Sequence, residues 1–196
     1  MEKNDPTFQK YSFNTTKVRR AKEMDHQQVN KKSLRQREDL TGEHRVGDVG
    51  QAVLAFLFTV IWIIDTHYLK CTTFLNQYVS DNIRISIGMV ILLISGYLAI
   101  TGLFIVFVEK REKPAVIRKG VFRIVRHPIY LSEILLYLGL LILNISLVAA
   151  VVWIIAIVFL HYISCYEEKL LLARFGQEYE QYMREVPMWL PHFLKK

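Results

Sequence analysis

Five consecutive residues, Arg126-His127-Pro128-Ile129-Tyr130, gather a guanidinium, an imidazole and a phenol around a proline. Pro128 stands where a long apolar run begins. Proline suits the first position of a helix, because the N–H it lacks would have no intrahelical acceptor there. The next N–H groups of such a helix point out of its end. With Arg126 and His127 beside them they make an anion site, a helix N-terminus flanked by cationic or hydrogen-bonding side chains. The carboxylate of an amino-acid-like cofactor would suit it. The same residues also read as interface anchors ahead of an ordinary helix start, and spacing alone leaves both readings open.

Glu167 and Glu168 follow the last apolar run. If the two runs before them form a hairpin, the pair returns to the membrane face that holds Arg126 and His127. Carboxylates accept hydrogen bonds from ribose hydroxyls and attract a sulfonium or amino cation. Alone, an acidic pair at a helix exit reads as solvated. Glu133 lies one turn inside an apolar run, where a carboxylate is costly unless it faces protein, water or a partner. It can line a cofactor pocket, accept a proton, or pair with Arg126. Arg126, His127 and Glu133 are therefore the candidates for catalytic work. His161 and Tyr162 precede the Glu pair by one to two turns. They line the substrate side of a cavity or belong to an interfacial aromatic belt.

The elements that must position these residues are apolar helices. The chain has 196 residues, 52% of them hydrophobic, and the long apolar runs crowd into residues 49–164. That segregation predicts an all-α polytopic membrane protein with about four spans, near 49–69, 83–108, 129–143 and 145–164. Only Asn144 and Ser146 interrupt the last two runs, which predicts a tight hairpin, and the third run is short for a full crossing. Gly88, Ser95, Gly96, Ala99 and Gly102 in the second run are small enough to admit a neighbouring helix. Residues 1–48 form a polar segment, and residues 49–196 the membrane domain. A helix over 166–186 follows the last span, with Gly176 inside it, and Pro187 and Pro191 bracket an apolar tail.

Charge sets the orientation. All but two of the 25 Lys and Arg fall in residues 1–48, 109–128 and 165–196, the exceptions being Lys70 and Arg84. Such an asymmetry predicts both termini in the cytoplasm. The membrane is then the plasma membrane in a prokaryote or the endoplasmic reticulum in a eukaryote. The net charge of +7 therefore does not mark a nucleic-acid binder, because the basic residues flank spans. Cys71 and Cys165 fall on opposite sides in this topology, so no disulfide is expected, and no metal-ligand spacing is present. The first apolar run begins near residue 49, which argues against a cleaved signal peptide. No Gly-rich phosphate loop, GxGxxG or βαβ alternation occurs, which excludes a soluble Rossmann domain.

Taken together, these clusters resemble the superfamily of isoprenylcysteine carboxyl methyltransferases and phospholipid methyltransferases. The matching elements are Gly120-Val121-Phe122, Arg126-His127-Pro128-Ile129-Tyr130, Glu167-Glu168, and Phe175-Gly176-Gln177-Glu178-Tyr179 followed by Tyr182 and Val186-Pro187. The resemblance spans roughly residues 84–193. It implies S-adenosylmethionine as cofactor, bound on the cytoplasmic side, and a lipophilic substrate that enters from the bilayer. By position it implies cofactor contacts at Pro114, Ala115, Val116, Ile117, Phe122, His127, Pro128, Ile129, Tyr130, Glu167 and Glu168. Methyl transfer from a sulfonium is an in-line displacement, so positioning and desolvation suffice without a nucleophilic residue.

The chain departs from the family at several positions. Phe122 stands where the family often has tyrosine. Ser132 and Glu133 replace small uncharged residues. Ile163 stands where the carboxyl methyltransferases carry an arginine thought to address the prenylcysteine carboxylate, and an aliphatic side chain cannot pair with a carboxylate. That points away from prenylcysteine and toward another acceptor, such as a lipid amine or thiol. Two other readings compete. One is an NADPH-dependent membrane reductase of the sterol-reductase kind, with a 2′-phosphate held by the basic 109–126 loop. The other is a non-enzymatic helical scaffold.

Overall fold

A computed structural model of the chain describes residues 45–108 and 115–190, and for Arg45, Val46 and Asp48 the backbone alone. Pro114 and most of the polar segment 1–48 lie outside these residues. The described part is all-α. Helix α1 covers Arg45–Ile63 and runs on through a π-helical turn, Ile64–Leu69. Helix α2 covers Asp81–Leu103 and ends in a second π-helical turn, Phe104–Val108. Helix α3 covers Pro128–Leu143, α4 covers Leu147–Phe175, and α5 covers Gln177–Glu185. The stretches Val49–Leu69, Asp81–Val108 and Leu147–Phe175 are long and apolar enough to cross a membrane. The chain is a polytopic membrane protein. Helix α3, with 16 residues, is shorter; at about 1.5 Å per residue it falls short of a hydrocarbon core of about 30 Å.

The C-terminal division differs from the expected one. Residues 145–164 and 166–186 are not two elements separated near Cys165. Helix α4 runs unbroken from Leu147 to Phe175, carrying Glu167 and Glu168 within it. The break falls at Gly176, whose φ of +52° lies in the left-handed region that favours glycine. Nothing near Cys165 disturbs the helical hydrogen bonds, so the helix continues past the end of the apolar run.

Helix α3 packs along α2 at a seam of small residues. A Cβ at Gly88 would stand 2.7 Å from Leu143 Cδ2 and 3.1 Å from the Gly139 carbonyl oxygen. A Cβ at Gly102 would meet Ile129 Cγ1 at 3.0 Å. Between them Ser95 Oγ donates to the Ser132 carbonyl at 2.7 Å. Gly88, Ser95 and Gly102 recur every seven residues, the spacing that keeps one face of a helix on its neighbour. Of the expected small residues, Gly96 is not at this seam, since a Cβ there would meet nothing within 4 Å. Helix α1 packs mainly on α4, and Phe58 stacks on Tyr137 of α3 with ring centroids 4.4 Å apart.

A polar clasp closes the end of the helices where α3 passes into α4. Asp65 accepts from Ser146 Oγ at 2.6 Å and from Thr72 Oγ1 and N. Trp62 Nε1 donates to the Asn144 carbonyl at 3.0 Å. Arg84 donates to the Leu143 carbonyl at 2.9 Å and to Asn76 Oδ1 at 2.7 Å. The connections after α1 and after α3 thus satisfy each other's polar groups, as buried polar atoms require.

Candidate functional site

The opposite end of α3 carries the residues singled out by type and spacing. His127 is the N-cap of α3 and Pro128 its first residue, so the local fold follows directly from the His-Pro sequence. A short 3₁₀ turn, Gly120–Arg123, leads into it, entered through Gly120 at φ +56°. Arg126 and His127, just ahead of α3, and Tyr130 in its first turn meet Glu167 and Glu168 from α4.

Glu168 Oε1 lies 2.7 Å from Arg126 Nε and 3.2 Å from His127 Nε2. Glu167 accepts from the Tyr130 hydroxyl, and its Oε2 lies 3.7 Å from His127 Nδ1. The imidazole is therefore bracketed by two carboxylates. Its ring also lies parallel to that of Tyr130, with centroids 5.5 Å apart. Burial pushes the His127 pKa below its ordinary value; the hydrogen bond and charge of Glu168 oppose that shift, and Arg126 reinforces it. The neutral ring has one donor and one acceptor nitrogen, and the contact with Glu168 makes Nε2 the donor.

The C-terminal segment holds this turn in place. Arg126 N donates to the Pro187 carbonyl at 2.9 Å, and His127 N to the Met188 carbonyl at 3.2 Å. The Arg126 guanidinium also donates to the carbonyls of Met183, at 2.9 Å, and Val186. Tyr182 donates to the Phe122 carbonyl at 2.7 Å, and Arg118 donates to the Glu178 carbonyl at 2.6 Å. Tyr179, Tyr182 and Val186 form a small apolar core with Val116, Leu171, Phe175 and Met183 around it. Burial raises the pKa of both tyrosines, which keeps them neutral.

Several expected residues face elsewhere. Ile129 packs against Gly102 of α2. Val116 joins the α5 core, and Ile117 packs against Leu98, Ile105, Val121 and Phe122. Ala115 is exposed. Glu133 does not pair with Arg126; it accepts from Tyr137 one turn further along α3. The guanidinium of Arg126 goes to Glu168 and backbone carbonyls rather than to the helix end. His161 meets Trp189 edge-on at 5.5 Å, Tyr162 is exposed, and Ile163 is buried. The sequence reading missed the service of the 183–188 carbonyls. Pro187 marked that stretch as extended, but a carbonyl acceptor leaves no side-chain signature. Cys71 and Cys165 are both free thiols.

Residues 82–178 match the family model described as phospholipid methyltransferase. The match supports assigning that stretch to the superfamily of phospholipid and isoprenylcysteine methyltransferases. It contains α3, the turn before it and both glutamates of α4, so the whole side-chain cluster around His127 falls inside the match. The match supports methyltransferase activity at the level of the family. No curated protein and no solved structure matches the chain.

Proposed function

We propose that the protein transfers a methyl group from S-adenosylmethionine to a lipophilic acceptor that reaches the site from the bilayer. The observation that carries this reading is His127 held between Glu167 and Glu168 at the start of α3, inside the methyltransferase-family stretch. The residues fit such a cofactor. The side chain of Glu167 is 14% exposed against 7% for Glu168, so Glu167 is the more accessible carboxylate. A carboxylate accepts hydrogen bonds on both of its oxygens, the chemistry that ribose hydroxyls call for. The first turn of α3 offers N–H groups to the cofactor's own carboxylate.

When bound, the cofactor supplies an electrophilic methyl group. The residues of the chain position the partners and exclude water. In this reading Glu167 contacts the cofactor, Tyr130 orients Glu167, and Arg126 with Glu168 holds His127 in its place. Ala115, Val116, Ile117 and Phe122 belong to the loop and turn that lead into α3 and so to the site. Glu133, further along α3, is the group to take a proton from the acceptor. The charge asymmetry supports a cytoplasmic site with both termini on that side.

The test is a titration of the purified protein in detergent with S-adenosylhomocysteine and, separately, with NADPH. We expect the first to bind and the second not. Glu167→Gln should weaken S-adenosylhomocysteine by about 1.5–3 kcal/mol, roughly ten- to a hundredfold, with the fold intact. Binding of NADPH alone would replace this reading with a reductase, and affinity for neither with a non-catalytic protein.

A further inference from the structure

We infer that Ser164 and Trp189 form a hydrogen-bonding subsite for a neutral oxygen on the methyl acceptor, one helical turn from the Glu167–Glu168 pair. This rests on the methyl-transfer reading above and adds to it a requirement on the substrate.

Ser164 has no exposed surface, and its hydroxyl has no hydrogen-bond partner among the described residues. A serine inside a helix ordinarily bonds the carbonyl four residues back. Here that carbonyl belongs to Leu160, and the bond is not made. The other buried serines are satisfied. Ser95 donates to the Ser132 carbonyl, Ser132 to the Ile129 carbonyl, and Ser146 to Asp65. The indole Nε1 of Trp189 is likewise buried without a partner among the described residues. A buried donor left unsatisfied is costly, so two of them in one neighbourhood favour a ligand atom that accepts from both.

The two donors belong to one neighbourhood. Ser164 lies three residues after His161 and four before Glu168, so the three share a side of α4. Glu168 is tied to His127, whose N–H bonds the Met188 carbonyl. Trp189, the next residue, sets its ring against His161. The segment at 188–189 is therefore tied to α4 on either side of Ser164, directly through Trp189 on His161 and indirectly through Met188, His127 and Glu168. Indole is a donor only, and a hydroxyl can donate, so the matching ligand atom is an acceptor oxygen. The oxygen is neutral, because Ile163 is aliphatic and Arg126 is spent on Glu168 and carbonyls. A carboxylate there would lose its hydration without a compensating cation.

Two matched pairs of acceptors test this with a labelled methyl donor: dodecylamine against dodecyl glycinate, and dodecanethiol against dodecyl mercaptoacetate. The second member of each pair adds an ester oxygen beside the nucleophile. In the wild type we expect a lower KM for the ester-bearing member. Ser164→Ala removes one donor with little change of shape, and Trp189→Phe removes the other while keeping an aromatic ring. Each should raise KM for the ester-bearing acceptor roughly three- to tenfold, leaving kcat, S-adenosylhomocysteine affinity and the KM for the plain acceptor nearly unchanged. Differences in nucleophile basicity within a pair are common to all variants and cancel. Equal KM shifts for both members, no shift, or no turnover on any of the four by protein that binds S-adenosylhomocysteine would overturn the subsite. Failure of the wild type to bind S-adenosylhomocysteine would instead remove the methyl-transfer reading beneath it.

Discussion

Arg126 Nε lies 2.7 Å from Glu168 Oε1, and both side chains are more than nine-tenths buried. The contact joins the turn before α3 to the far part of α4, 42 residues later. Breaking such a pair from one side leaves a buried charge without compensation, at about 3–5 kcal/mol. Arg126→Ala should therefore lower the Tm of the detergent-solubilised protein by about 6–20 °C. Arg126→Met combined with Glu168→Met should recover much of that loss, because neither charge then remains. A double variant no more stable than Arg126→Ala would show that the backbone carbonyls of Met183 and Val186 dominate the role of Arg126.

The seam between α2 and α3 gives a contrast between two glycines of one helix. At Gly88 an added methyl would press on the Gly139 carbonyl, a backbone atom that cannot swing away. Gly88→Ala should cost about 1–3 kcal/mol through overpacking. At Gly96 the same change meets open space and should leave Tm unchanged or slightly higher, since alanine favours a helix. Equal losses at the two positions would contradict the packing described here.

The sequence reading found α3 and its start because Pro128 marks a helix N-terminus by covalent chemistry. It paired the right elements, since the Glu167–Glu168 carboxylates do meet Arg126 and His127. It divided α4 too early, because an apolar run ending near Ser164 says where the hydrocarbon ends and nothing about where helical hydrogen bonds stop. The choice of partner for Glu133 was also hidden. Tyr137 and Arg126 are both within reach by spacing; in the structure the phenol, packed on Phe58, donates to the carboxylate. The clasp of Asp65, Asn76 and Arg84 joins residues far apart in sequence, and no local pattern announces it.

The histidine at the centre of the site confers a pH dependence. Its pKa in the folded chain lies below the ordinary 6.5, chiefly through burial. Above about pH 6.5 the imidazole is neutral in both folded and unfolded chains, so its contribution to stability is complete there. As pH falls below that value the unfolded chain takes up a proton that the folded chain resists. Stability is then lost until the folded pKa is passed. Between pH 7.5 and 5.5, the wild type should lose more Tm than His127→Gln. Parallel curves for the two proteins would place the acid sensitivity elsewhere, in the carboxylates common to both.

One buried side chain bears on the choice of acceptor. We propose that the protein does not efficiently methylate a prenylcysteine carboxylate. Ile163 holds the position where the carboxyl methyltransferases place an arginine, and it is 4% exposed. Arg123 and Arg126, near the start of α3, are the substitutes the sequence suggests. Arg126 donates to Glu168, Met183 and Val186, so turning it to a substrate would strand the buried Glu168. Arg123 is exposed to solvent, where its charge is screened. A carboxylate brought against Ile163 would lose water without gaining a cation, whereas a neutral lipid amine or thiol needs none. Ile163→Arg should then raise methyl transfer to a farnesylcysteine analogue relative to amine and thiol acceptors. Rapid turnover of that analogue by the wild type, with amines and thiols inert, would mean that another group supplies the missing charge.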